Sequence, residues 1–210
     1  MMSKKDWDTF WSEHTFPLVT KAGFNIEKNA IRNVFQKLKL DKSIKIIDFG
    51  CGEGRTLSYI KEFGFKNSIG IDTSKKAIIN CSRKGLKINH DVFHVKNEEK
   101  LKISCDLLFS EGMLEHYKEW DNLVKTMTRI PKKYIFLVQP LTTSLTFRTI
   151  DFFVKNFGEF RDYVKEYHYK LDDYLKVFEK YGFSKKIVHT THRFPIFLDT
   201  SVIIVLERIK

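Results

Sequence analysis

The chain is poor in cysteine, with three in 210 residues, Cys51, Cys81 and Cys105. They are widely spaced and no C-x-x-C pair occurs, so neither a disulfide framework nor a zinc site is indicated. No stretch approaches the roughly 20 uninterrupted apolar residues of a membrane span. The opening M-M-S-K-K-D-W-D lacks the apolar core of a signal peptide, and a cytoplasmic location is expected. Internal repeats and low-complexity linkers are absent, so one domain is expected over 1–210. A net charge of +11 is present without an arginine-rich arm or a long basic run. Its lysines are scattered in pairs such as Lys75-Lys76 and Lys132-Lys133, a pattern of a solvated basic surface more than of a dedicated polyanion groove.

What is there is an alternation of strand-like and helical segments. Apolar runs at 44–49, 68–71, 91–95, 106–109 and 134–138 read as strands. Residues 56–63, 74–83 and 120–129 read as helices, with Thr73 or Ser74 capping the second. Such alternation implies right-handed crossovers and a mostly parallel sheet. After a helix at 171–181 closed by Gly182, strands at 184–191 and 202–207 are joined by a loop alone, which permits only an antiparallel pair. The expected fold is α/β, a doubly wound, mostly parallel seven-stranded sheet with an antiparallel C-terminal hairpin edge. Residues 1–40 form an N-terminal helical cap, 41–140 the core, 141–169 a helical insertion, and 170–210 the final helix and strands.

The first strand runs into I-I-D-F-G-C-G-E-G-R, residues 46–55. Glycine at the carboxyl end of a strand lets backbone approach a ligand closely and allows positive φ. The dinucleotide pattern G-x-G-x-x-G fails, because Arg55 stands where the third glycine belongs. A phosphate loop is excluded by the lack of a following G-K-[ST]. The segment Asp48-Phe49-Gly50-Cys51-Gly52-Glu53-Gly54 is D-x-G-x-G-x-G instead. It resembles motif I of the class I S-adenosylmethionine-dependent methyltransferases, a Rossmann-like family. Gly70-Ile71-Asp72-Thr73-Ser74 resembles motif II, Ser110-Glu111-Gly112-Met113-Leu114-Glu115-His116 the signature after the fourth strand, and Tyr181-Gly182-Phe183 the turn before the sixth.

The resemblance implies a methyltransferase that binds S-adenosyl-L-methionine and releases S-adenosyl-L-homocysteine. It implies that Asp48, Gly50, Cys51 and Gly52 lie along the methionine part, that Asp72 and Thr73 take the ribose, and that Ser110 and Glu111 offer backbone to the methionine end. Near the adenine the family often has Asp; here Asn97 and Glu98 stand in its place. His116 is the candidate catalytic base, with a packing or capping role as its rival. No metal is implied.

A small-molecule acceptor methylated on O, N or C is the first expectation. RNA, perhaps tRNA, is the alternative that the charge suggests, against which stands the absence of an N-P-P-Y or D-P-P-Y signature. A protein that holds the cofactor without catalysis is the third. Trp7, Phe10, Trp11 and His14 recur at i, i+3, i+4 and i+7, so one helix face gathers them, and packing of that face over the cofactor side of the sheet is expected. The aromatic insertion 141–169 leaves the sheet from the ligand side and reads as a lid. Trp11, His14, Phe153, Phe157 and His168 are the candidate acceptor-site residues.

Overall fold

The computed structural model describes residues 4–13, 18–86, 103–140, 167, 169–192 and 199–209. Two helices open the chain, α1 (Lys4–Glu13) and α2 (Leu18–Leu38). They are followed by β1 (Ile46–Phe49), α3 (Arg55–Glu62), β2 (Ser68–Ile71) and α4 (Lys75–Arg83). After β3 (Cys105–Glu111) comes a short 3-10 turn, Leu114–His116, then α5 (Asp121–Arg129) and β4 (Pro131–Pro140). The chain ends in α6 (Leu171–Glu179), β5 (Phe183–His192) and β6 (Asp199–Arg208).

Among the described residues the sheet has six strands in the order β2-β1-β3-β4-β6-β5. β2, β1, β3 and β4 are mutually parallel, and β6 runs antiparallel to both β4 and β5. This is the mixed sheet that the sequence implies. The strand expected at 91–95 lies outside the described residues, as does the insertion 141–166 with the proposed lid. Helix α6 ends two residues earlier than the sequence suggests. Lys180 caps it, and Gly182, at φ 80°, makes the turn into β5.

Strand alternation divides the apolar side chains between two layers. Ile47, Phe49, Leu108, Ile135, Leu137, Ile204 and Leu206 pack on Leu123, Val124 and Met127 of α5 and on Tyr174 and Phe178 of α6. On the opposite face Ile46, Leu107, Phe109, Phe136, Ile203 and Val205 meet Ala30, Ile31, Val34 and Phe35 of α2. Phe35 stacks on Phe136 with ring centroids 4.9 Å apart, and Phe109 stacks on Phe136 at 4.8 Å. Such pairs add about 0.5–1.5 kcal/mol each beyond area burial. The core therefore fixes β1 and β3 as neighbours. Because β1 leads out to β2 on one side while β3 lies on the other, their carboxyl ends form a topological switch point, where ligands bind in open α/β sheets.

Candidate active site

The loop between β1 and α3 stands at that switch point. Gly50, Gly52 and Gly54 have φ of 78°, 51° and 77°, a region L side chains avoid. Space forbids a side chain as well. A Cβ on Gly50 would lie 2.7 Å from Met113 Sδ, one on Gly52 2.4 Å from Trp11 Cζ2, and one on Gly54 2.6 Å from Cys81 Sγ. Gly54 is also the N-cap of α3, as a packing glycine at the helix start.

Asp72 ends β2 and holds this loop. Its Oδ2 accepts the Gly52 N–H and its Oδ1 the Ser74 N–H, each at 2.8 Å. Burial raises the Asp72 pKa, opposed by hydrogen bonds from the Ser74, Gly52 and Thr73 backbone. Asp48 lies on β1 with 1% of its surface exposed, and its Oδ2 has no hydrogen-bonding partner among the described residues. Its pKa stands well above the usual carboxylate range, first through burial and then through repulsion from Glu111 and Asp72. Cys51 is buried, and its thiol contacts the Gly52 carbonyl at 3.7 Å. A hydrogen bond with the Cys81 thiol and burial push its pKa up, which removes thiolate character.

At the end of β3, Ser110 is fully buried and donates to the Phe49 carbonyl at 2.9 Å, tying β3 to the entrance of the glycine loop. Glu111 takes hydrogen bonds from Arg55 Nη2 and Thr56 Oγ1. Arg55 also lies 3.7 Å from the fully buried Glu27 of α2, and its guanidinium carbon sits 3.6 Å from the centroid of the Phe24 ring. The Ser110 and Glu111 side chains thus hold the frame of the site. Phe24, Glu27 and Arg55 were not legible as site residues from the sequence. Arg55 read there as the residue that breaks a glycine pattern. A buried Glu on an otherwise amphipathic helix reads as a solvated charge.

His116 is 9% exposed. Its ring meets the Trp7 ring edge-on at 5.2 Å, and its Nε2 is 3.9 Å from Glu115 Oε1. Helix α1 reaches across this edge of the sheet. Trp11 lies against Gly52, and its carbonyl accepts from Asn80 Nδ2 at 3.3 Å. Asp8 accepts from Ser74 Oγ at 2.6 Å and from the Lys76 N–H at 3.2 Å, at the amino end of α4, where the helix dipole favours a carboxylate. The aromatic face foreseen on α1 is therefore turned onto the glycine loop and His116. The structure brings together Trp11, Asp48, Gly50, Cys51, Gly52, Asp72, Thr73, Ser110, Glu111 and His116. His14, Asn97, Glu98, Phe153, Phe157 and His168 lie outside the described residues.

A family model of the methyltransferase domain matches residues 22–186. No curated protein matches the sequence. Among solved structures, the magnesium protoporphyrin IX methyltransferase of Synechocystis with bound S-adenosylhomocysteine superposes with a TM-score of 0.71 at 18% identity, over 97% of this chain and 93% of that one. A methyltransferase dependent on S-adenosylmethionine from Anabaena variabilis gives 0.70 at 14% identity, over 99% and 96%. One from Thermotoga maritima, described as a possible histamine N-methyltransferase, gives 0.68 at 16%, over 98% and 100%. At these identities the likeness is one of fold.

Proposed function

The chain belongs to the methyltransferase-domain family, and on that premise we propose that it moves the methyl group of S-adenosylmethionine to O, N or C of a small-molecule acceptor. The observation that carries the reading is the Asp72 carboxylate. It accepts backbone bonds from Gly52, Ser74 and Thr73, and with about four acceptor sites in all a carboxylate keeps capacity for a ribose hydroxyl. The rest of the site fits such a cofactor. Asp48 offers a buried carboxylate oxygen with no partner among the described residues, which suits the cationic methionine end. Gly50 and Gly52 bring bare backbone to the same place.

The cofactor's sulfonium makes its methyl an electrophile open to in-line displacement. The protein's contribution is alignment and exclusion of water. Asp72 fixes the loop, Ser110 fixes β3 against it, and Trp11 covers it at Gly52. His116, beside Trp7 and Glu115, is the side chain suited to take a proton when the acceptor must lose one. We assign Asn97 and Glu98 to the adenine end, and 141–169 with Phe153, Phe157 and His168 to a lid that completes the acceptor site with Trp11 and His14.

The test is transfer of labelled methyl from the cofactor into fractionated cell extract, with and without RNase. Label in a small-molecule fraction that is insensitive to RNase is the expected result. Label lost on RNase treatment makes RNA the acceptor, the reading that the +11 charge favours. No transfer by a chain that binds S-adenosylhomocysteine makes it a cofactor-binding protein.

A further inference from the structure

We propose that Gln139 reads the acceptor, and that the acceptor offers it a planar amide edge, an N–H beside a carbonyl. The proposal rests on the methyltransferase reading and names the class of substrate. Gln139 is the penultimate residue of β4, at the same carboxyl edge as the glycine loop. It is fully buried, yet neither Nε2 nor Oε1 has a hydrogen-bonding partner among the described residues. Leaving such an amide unpaired in an apolar place is destabilising. A leucine would fill similar volume without that cost, so the fold alone gives no reason for glutamine here.

Strand alternation gives the face of the sheet on which the Gln139 side chain lies. Ile135 and Leu137 precede it on the same side of β4 and belong to the layer that includes Met113, Leu114 and Val202. Val202 is its register partner on β6. The Gly112 N–H donates to the neighbouring Val138 carbonyl at 3.0 Å, which sets the Leu114–His116 turn beside the end of β4. Gln139 therefore shares its face with Leu114, in the turn that carries the candidate base His116, while the charged frame of Glu27, Arg55 and Glu111 lies on the face of α2.

An amide with both ends unpaired asks for a partner that donates and accepts from adjacent atoms. A carboxylate satisfies Nε2 and repels Oε1; an ammonium does the reverse; an alkyl group satisfies neither. A carboxamide, a lactam or a nucleobase edge satisfies both in one cyclic pair. The apolar residues around Gln139 suit a flat ring or hydrocarbon body behind that edge.

Calorimetry on the full chain saturated with S-adenosylhomocysteine tests this, with benzamide, benzoate and uridine as probes and Gln139→Leu as the variant. Benzamide is expected to bind, benzoate to bind more weakly, and Gln139→Leu to lose at least about tenfold in benzamide affinity. The same variant should keep its S-adenosylhomocysteine affinity and melt no lower than the wild type. Uridine binding in place of benzamide, with the same dependence on Gln139, also supports the proposal and makes a nucleobase the source of the edge. Equal benzamide affinity in the variant, no binding of benzamide or uridine, or a lower melting temperature for Gln139→Leu overturns it. Failure of the wild type to bind S-adenosylhomocysteine sinks the methyltransferase reading instead.

Discussion

The two ends of the sheet carry the same kind of side chain in opposite circumstances. At the amino end of the parallel strands, Asp106 accepts the Lys45 N–H at 2.8 Å, and Glu207 pairs with Lys186 at 2.5 Å and Lys133 at 3.9 Å. The hydrogen bond from Lys186 holds Glu207 below its usual pKa. At the carboxyl end Asp48 and Asp72 are pushed above theirs, mainly by burial. The amino end has satisfied its carboxylates with its own chain. The carboxyl end buries carboxylates at an energetic cost, and Asp48 has a free oxygen among the described residues. A fold keeps such a cost where a ligand relieves it.

Removing the cation from the costly end is the most severe way to break this contrast. Arg55 stands between Glu111, 8% exposed at its side chain, and Glu27, at 0%. In Arg55→Ala both carboxylates lose it, and breaking a buried pair from one side costs about 3–5 kcal/mol. Arg55 is itself 31% exposed, so the lower end, about 3 kcal/mol, is expected in urea unfolding. A change under about 1 kcal/mol would mean that water already screens the cluster. Asp72→Ala comes next. It should weaken S-adenosylhomocysteine binding by at least about 1.5 kcal/mol in calorimetry, through lost ribose bonds and a loosened Gly52. Unchanged affinity would sink the assignment of Asp72.

Asp48→Asn sharpens the contrast by separating stability from binding. The folded-state pKa of Asp48 lies above the ordinary 3.8, so folding favours its protonated form. Its contribution to stability is greatest below the ordinary value and falls as pH rises through the folded value. Above the ordinary value the cost of burying the Asp48 carboxyl therefore opposes folding. Asp48→Asn should therefore raise the melting temperature of the ligand-free protein at neutral pH, flatten the decline in stability from acid to neutral, and weaken cofactor binding. A variant that melts lower at neutral pH than the wild type would show that the carboxylate is needed by the fold.

How far the sequence discloses all this follows from the range of each interaction. The glycine loop and Asp72 are legible because their spacing along the chain carries their geometry: one strand, one turn, one helix, one strand. Alternation and short connections disclose the parallel core and the antiparallel edge. Glu111 and Arg55 are 56 residues apart, and Glu27 enters from a helix that precedes the first strand, so no local pattern announces their meeting. Ser110 reads in the sequence as a backbone contact, and only the register of β1 against β3 brings its hydroxyl to the Phe49 carbonyl. In the sequence Gln139 reads only as the residue between the strand at 134–138 and Pro140. Its significance is the absence of a partner at full burial, a property of three-dimensional packing.

The smallest effect belongs to the satisfied end, and it is the control for the others. Glu207 is 32% exposed, and its partners Lys186 and Lys133 are 36% and 60% exposed. Water and salt compete for such a pair, so it contributes under about 1 kcal/mol. The folded-state pKa of Glu207 is lowered from the ordinary 4.5 by Lys186. The stability it supplies is therefore present above the ordinary value and lost as pH falls through the folded one, opposite in sign to Asp48. Glu207→Gln should lower stability by less than about 1 kcal/mol at neutral pH and low salt, with the difference fading in acid and in about 1 M salt. Cofactor affinity should not move. If Glu207→Gln changed stability as much as Arg55→Ala, or if its effect grew in acid, the division of the sheet into a satisfied end and a costly end would be wrong.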